Sequence, residues 1–231
     1  MHGKNCIYLA DTHEITDRRM FEELFRLIPP ERQEKVSRFL RDEDKYLSLC
    51  AGLLLEEGIR QLGLSAEPTL AVTDKGKPYF YDLPGVFFNL SHSGHFAVCV
   101  FSDRQVGVDM ECIRCFDDRL AEFVFHGDEI GRVREEAGDT ACDALYTRLW
   151  TMKESIMKYY GEGLALEPKD IHIGRGGQII GVKGHPDARH LHISGISTAE
   201  TELSVCSEYE VFPGEQKKVC LRGLLSGKKR G

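Results

Sequence analysis

Residues 87–111 read FFNLSHSGHFAVCVFSDRQVGVDME, two apolar runs joined by a polar SHSG turn and followed, after SDRQ, by VGVDME. The aromatic and β-branched content, with Gly94 in the turn, predicts a strand pair over 86–90 and 95–101 and a third strand over 106–111. Side chains on a strand alternate faces, so Asp109 and Glu111 project the same way, about 6.5 to 7 Å apart along the backbone. Two carboxylates so placed repel. Unless both face water they need a shared cation or a raised pKa, and a hard divalent ion with oxygen ligands is the plainest partner.

Working outward toward the N-terminus, CIYLAD predicts a first strand, and Asp17 opens a helical pattern with Met20, Phe21, Leu24, Phe25 and Leu27 that Pro29 and Pro30 stop. Pro30 suits the first turn of a second helix, ERQEKVSRFL, whose apolar Val36, Phe39 and Leu40 leave Arg32, Lys35 and Arg38 on the polar side. Taken alone these cations are a solvated face or an anion clamp. Residues 42–63 predict the long core helix of this half, with Leu47, Leu49, Leu53, Leu54, Ile59 and Leu62 in one broad stripe. A short strand over 69–72 then leads to TDKGKPYF, where Lys75 and Lys77 flank a turn at Gly76 and Pro78 stiffens the chain beyond it. Such a loop suits an anion and equally suits plain exposure.

Toward the C-terminus, FVFHGDE predicts a helix starting near Glu129. After Gly138 and Asp139, TACDALYTRLWTMKESIMKYYG predicts a second long helix, with Leu145, Leu149, Met152, Ile156 and Tyr159 as its buried stripe. IHIG, QIIGV, LHISGI, LSVCSEY and KVCLRG read as strands, and GKKRG as a frayed tail. Both halves run helix first and strands after, with no low-complexity linker and no fixed-period repeat. The expected class is therefore α+β, with two related lobes.

At 231 residues the chain is long enough for one large or two small cores, and a formal charge of −7 argues against bulk nucleic-acid binding while leaving room for local basic patches. The N-terminus has no apolar segment of signal-peptide length, and no uncharged stretch of about 18 residues is present, so the expectation is a cytoplasmic protein with no membrane partner. Eight cysteines are scattered, several inside apolar runs such as AVCVF, which predicts reduced core thiols. Cys112 and Cys115 form a lone CxxC without a second half-site.

Glu154 and Lys158 lie one turn apart on the second long helix and share a face, while Lys153 points elsewhere. By itself that is an ordinary surface ion pair. Together with two strand carboxylates and His92 between Ser91 and Ser93, it offers oxygen ligands for Mg²⁺ and donors for phosphates. Neighbouring strand residues face opposite ways, so His92 is badly placed to activate either serine as a nucleophile. Nothing matches a P-loop or a dinucleotide-binding glycine motif.

FNLSHSG, VGVDME and RLWTMKESIMKYYGEGL, in that order, resemble the signature motifs of the 4′-phosphopantetheinyl transferases of the surfactin-synthetase type, over about residues 30–168. The resemblance implies an α+β fold of two pseudo-symmetric lobes, each a small mainly antiparallel sheet packed on a long helix. The lobes would span 1–104 and 105–231, with coenzyme A bound in the cleft between them. It implies that Asp109, Glu111 and Glu154 bind Mg²⁺. Arg32, Lys35, Lys75, Gly76, Lys77, Pro78, Ser91, His92, Lys153 and Lys158 would contact coenzyme A. Glu154, Glu129, Lys158 and His92 would carry catalysis, with Glu129, Glu154 or a water on the metal as the base. The implied reaction moves phosphopantetheine from coenzyme A to a serine of an apo acyl or peptidyl carrier protein and releases adenosine 3′,5′-bisphosphate. The implied assembly is a monomer. The same acids would also suit a Mg²⁺-dependent hydrolase of a nucleotide pyrophosphate, or a non-catalytic coenzyme A-binding module. One departure is Leu47, where many members of the family carry arginine. Lys45 points another way on that helix.

Overall fold

The computed structural model describes residues 5–64, 68–138 and 142–227. Its first sheet has the order β11-β1-β5-β4, built from β1 (Cys6–Asp11), β4 (Phe87–Ser93), β5 (Phe96–Ser102) and β11 (Glu215–Lys218). Alternation makes both faces of this sheet apolar. Cys6, Tyr8, Ala10, Ala97, Cys99 and Phe101 face the helices α1 (Arg18–Phe25), α2 (Pro30–Ser37) and α3 (Asp42–Gln61). Ile7, Val98 and Val100 face the other way, onto a second sheet.

That second sheet has the order β6-β10-β9, from β6 (Val106–Cys112), β9 (His192–Ser197) and β10 (Thr201–Ser207), all antiparallel. Val106, Val108, Met110, Leu203 and Val205 meet the first sheet, and the opposite face lies on α6 (Asp143–Tyr160). The layers thus run helix, sheet, sheet, helix, each sheet carrying one long helix. A third cluster gathers around Phe125, Tyr146, Ile156, Leu166, Ile171 and Ile173. It joins α6 to α4 (Asp118–Val124), α5 (Gly127–Ala137) and the hairpin of β7 (Ile171–Ile173) and β8 (Ile179–Val182). A second hairpin, β2 (Leu70–Val72) with β3 (Pro78–Phe80), carries the Lys75–Lys77 turn.

One helix was not anticipated and two expectations need correction. DRLAEFV is a helix, capped by the Asp117 carboxylate, which accepts from Leu120 N at 2.8 Å. KVCLRG is not one strand: the ladder stops at Lys218, and α7 (Leu221–Gly227) follows. Nor does the last part of the chain stay with the second half, because β11 pairs in parallel with β1 and Val219 and Leu221 are buried in the first core. The start of the helix that was expected from Thr140 and the tail over 228–231 lie outside the described residues.

Candidate active site

β4 and β6 are the edges of their sheets and share no backbone ladder. Side chains do that work instead. Asn89, Ser91 and Ser93 sit at i, i+2 and i+4 on one face of β4, and their oxygens accept from Val108 N at 2.9 Å, Met110 N at 3.3 Å and Cys112 N at 3.1 Å. Edge amides that would otherwise be unpaired are satisfied in this way. The two serines then donate to the carboxylates between those amides, Ser91 Oγ to Asp109 Oδ1 at 2.8 Å and Ser93 Oγ to Glu111 Oε2 at 2.6 Å. The polar spacing N-x-S-x-S is thus what aims the acids.

α6 lies directly on β6 because Gly107 has no side chain. A Cβ there would stand 2.1 Å from Ser155 O and 2.3 Å from Tyr159 N. This approach carries Glu154 and Lys158 over the strand. Lys158 Nζ donates to Asp109 Oδ1 at 2.6 Å and to Ser91 Oγ at 2.9 Å. Burial, and then the Asp109 and Glu111 carboxylates, push Glu154 above the usual carboxylate range. Asp109 Oδ2 is buried with no hydrogen-bond partner.

Opposite these acids stand cations from the first half. Arg32 Nη2 donates to Ser48 O at 3.0 Å, while its Nε is buried without a partner. Burial lowers Arg32, and burial followed by Arg32 lowers Lys35. His92 lies below the ordinary histidine range because of burial first and then the Lys158, Arg32 and Lys35 charges. Three cations, Arg32, Lys35 and Lys158, acting on His92 make a site for a polyanion.

The remaining expected residues fall into two sets. Glu129 and Lys153 are not at this site: their ammonium and carboxylate meet at 2.7 Å with both side chains 0% exposed. Glu129 also accepts from His126 N and Ile173 N at 2.8 Å each, and Lys153 donates to Ile171 O at 2.7 Å and Pro168 O at 3.0 Å. Every polar atom of the pair is turned inward, so neither residue can touch coenzyme A or take a proton from a carrier. The second correction is Lys77. Its Nζ donates to Tyr159 O at 2.8 Å and Val106 O at 3.2 Å, and burial pulls its pKa down to about 8. It fastens the turn to α6 and β6 rather than facing solvent. Lys75 is exposed and pairs with Glu162 at 2.9 Å, Gly76 N closes the turn onto Thr73 O at 2.8 Å, and Pro78 pairs with Val72. Leu47 is buried, and Lys45 Nζ is tied to Asp42 at 2.9 Å, so it does not replace the missing arginine.

Asp109, Glu111 and Glu154 are not gathered as a closed ligand set. Among the described residues the group of three whose ligand atoms all lie within 4.8 Å of one another is Asp11, His13 and His95. Asp109 is held by Lys158 instead, and Glu111 by Ser93. Even so, an unpartnered buried carboxylate oxygen beside two further acids suits an oxygen-seeking divalent ion.

Residues 105–206 match the family model described as the 4′-phosphopantetheinyl transferase superfamily, and residues 16–104 match one described as 4′-phosphopantetheinyl transferase, N-terminal. The chain is 32% identical over 203 residues to the 4′-phosphopantetheinyl transferase Sfp of Bacillus subtilis (strain 168), covering 86% of this chain and 84% of that protein. It is 32% identical over 211 residues to the 4′-phosphopantetheinyl transferase ffp of Bacillus subtilis, covering 90% and 86%. A third relative is the L-aminoadipate-semialdehyde dehydrogenase-phosphopantetheinyl transferase of Eremothecium gossypii, 30% identical over 227 residues, covering 90% and 79%.

Proposed function

The chain belongs to the 4′-phosphopantetheinyl transferase superfamily, and from that membership we propose how its residues transfer phosphopantetheine from coenzyme A to a serine of an apo carrier protein. The observation that supports the assignment of roles is one juxtaposition. Arg32 and Lys35 of α2 and Lys158 of α6 act on His92 of β4 beside the acids Asp109, Glu111 and Glu154. The cations take the phosphates of coenzyme A, with Lys158 moving from Asp109 to a phosphate oxygen. Lys75, exposed on its turn, adds a further contact at the nucleotide end.

Asp109, Glu111 and Glu154 would hold Mg²⁺, which when bound would supply positive charge against the phosphates of coenzyme A. Ser91 and Ser93 hold the first two acids by hydrogen bonds, Ser91 Oγ to Asp109 and Ser93 Oγ to Glu111. The carrier's serine oxygen attacks the phosphorus that bears the pantetheine arm. Its proton passes to the Glu154 carboxylate, the bond to the bridging oxygen breaks, and adenosine 3′,5′-bisphosphate leaves. The burial of Glu129 against Lys153 supports Glu154 over Glu129 as the base.

The site falls in the cleft between a first lobe of residues 1–104, to which 215–227 return, and a second lobe from residue 105. All of these groups belong to a single chain, which supports a monomer. No helix among the described residues is long and apolar enough to cross a membrane, and the eight cysteines are free thiols. Free thiols favour the reducing cytoplasm.

Intact-mass measurement of several apo carrier proteins after incubation with this protein, coenzyme A and Mg²⁺ tests the reading. The expected result is a gain of one phosphopantetheine on at least one carrier. Coenzyme A cleaved with every carrier unmodified would replace the transferase reading with a pyrophosphate hydrolase, and coenzyme A bound but left intact would replace it with a binding module.

A further inference from the structure

A second constellation stands at the far end of β1, with a role that phosphopantetheine transfer does not use. β1 and β5 run antiparallel with Asp11 opposite Phe96, and Thr12 N donates to His95 O at 2.8 Å. That register brings His95 beside residues more than eighty positions earlier. The His13 and His95 rings stack with centroids 4.0 Å apart and planes 21° from parallel. Asp11 Oδ1 lies 3.5 Å from His13 Nδ1, and it also accepts from His13 N at 2.9 Å, which fixes the turn of residues 12–14. One ligand atom from each of the three residues falls within 4.8 Å of the other two. From the neighbouring strand pair, Glu200 Oε2 reaches to 3.9 Å from His95 Nε2.

We propose that Asp11, His13 and His95 form a binding site for a borderline divalent transition ion of the Zn²⁺ type, with Glu200 as a further oxygen ligand. The chemistry of the donors sets the class. Two imidazole nitrogens with a carboxylate suit Zn²⁺, Ni²⁺, Cu²⁺ or Co²⁺, whereas Mg²⁺ and Ca²⁺ seek oxygen alone. Neutral imidazole is the form that binds metal. An ion about 2.0 to 2.1 Å from each nitrogen needs its ligand atoms about 3 to 3.5 Å apart, and the exposed His13 side chain can make that adjustment by a rotamer change.

Position gives the ion a structural consequence. His95 follows Gly94 directly in the β4–β5 turn, which His92 and Ser93 at the end of β4 lead into. An ion here clips the end of β1 to the start of β5 and stiffens the turn that leads into the phosphate site. Asp11 and Glu200 also line one cleft of about 510 Å³ together with Phe96, Met110 and Thr201, which leaves the cluster open on one side.

The test uses the untagged full chain, Zn²⁺ in competition with a chromogenic chelator, and excess Mg²⁺ throughout. One Zn²⁺ per chain is expected for the wild type and for Asp109→Asn. His13→Ala and His95→Ala are expected to weaken it by at least about 100-fold, since removing a ligand exceeds the loss from removing a ligand's outer partner. Visible absorption of Co²⁺ should appear with the wild type and be lost in His13→Ala. His13 is exposed, so His13→Ala decides the matter alone if His95→Ala does not fold. Unchanged Zn²⁺ affinity in His13→Ala, or loss of the ion in Asp109→Asn only, would overturn the proposal.

Discussion

α6 carries two lysines five residues apart, and each meets a carboxylate at nearly the same distance. Lys153 pairs with Glu129 at 2.7 Å and Lys158 with Asp109 at 2.6 Å. The first pair is wholly enclosed, with main-chain groups completing both partners. The second is not: Lys158 is 29% exposed, and Asp109 keeps a buried oxygen with no partner. An acid and a base in contact therefore do not by themselves mark a reactive site. What separates them is whether the remaining hydrogen-bonding capacity is already filled. A filled pair fixes structure, whereas an unfilled one has affinity left for a ligand.

The contrast is broken most severely at the open site. Glu154→Gln should lower the rate of transfer by about 10⁴-fold, equivalent to about 5.5 kcal/mol of activation free energy, while leaving the chain folded. Stability should rise. An acid whose folded pKa is raised, as here by burial and by Asp109 and Glu111, binds its proton more tightly in the native state. Its contribution is lost as pH rises through that raised value, so at neutral pH its charge costs stability. Thermal melts at about pH 5 and pH 7.5 should show the variant gaining over the wild type mainly at the higher pH. A near-normal rate would remove Glu154 from the mechanism.

Breaking the closed pair comes next in size. Lys153→Ala leaves Glu129 charged and enclosed, at a cost of about 3–5 kcal/mol and a fall in Tm on the order of 10 °C, with transfer per folded molecule retained. Replacing both members, Glu129→Met with Lys153→Leu, should recover much of that loss. Equal destabilisation by Lys153→Ala and Lys158→Ala in denaturant melts would erase the distinction between the pairs.

The smallest effect concerns His92, which sharpens the account of the open site. Its pKa lies below the ordinary value because burial and three cations disfavour its charge, and a bound phosphate reverses that bias. Binding then takes up a proton. Affinity for coenzyme A should therefore increase as pH falls through the window between the bound and free values, by less than about tenfold per pH unit, and level off below the free one. Calorimetry in buffers of different ionisation enthalpy reads the proton directly, and His92→Gln should flatten the dependence. A dependence that persists in His92→Gln assigns the proton to another group.

Much of this was legible in the sequence. Strand alternation over 87–111 placed Asp109 and Glu111 on one face, and the long periodic helices at 42–61 and 143–160 were plain from their apolar stripes. α4 was missed although Asp117 marks its start, because FVF reads equally as strand or helix. Glu129 and Lys153 were misplaced because charge says nothing of depth. Only packing of β7 on α6 shows that their partners are carbonyls and amides up to 44 residues away. Lys77 was misread for a similar reason, its acceptors being the carbonyls of Val106 and Tyr159. The role of Asn89, Ser91 and Ser93 had a signal in their period-two spacing, but their partners on β6 became visible only once the two edges stood side by side. His13 and His95 had none, since their meeting depends on strand register.

The return of β11 to β1 bears on how the chain folds. Cys6 stands opposite Glu215, so this strand finds its parallel neighbour 209 residues further along the chain. Until the two pair, β1 has an uncovered edge, and Val219 and Leu221 are missing from the core beneath it. Contacts of such sequence separation form slowly, because loop closure must precede them. The first half of the chain is therefore left with an open sheet edge until residues 215–221 dock, and their docking closes the sheet that holds His92.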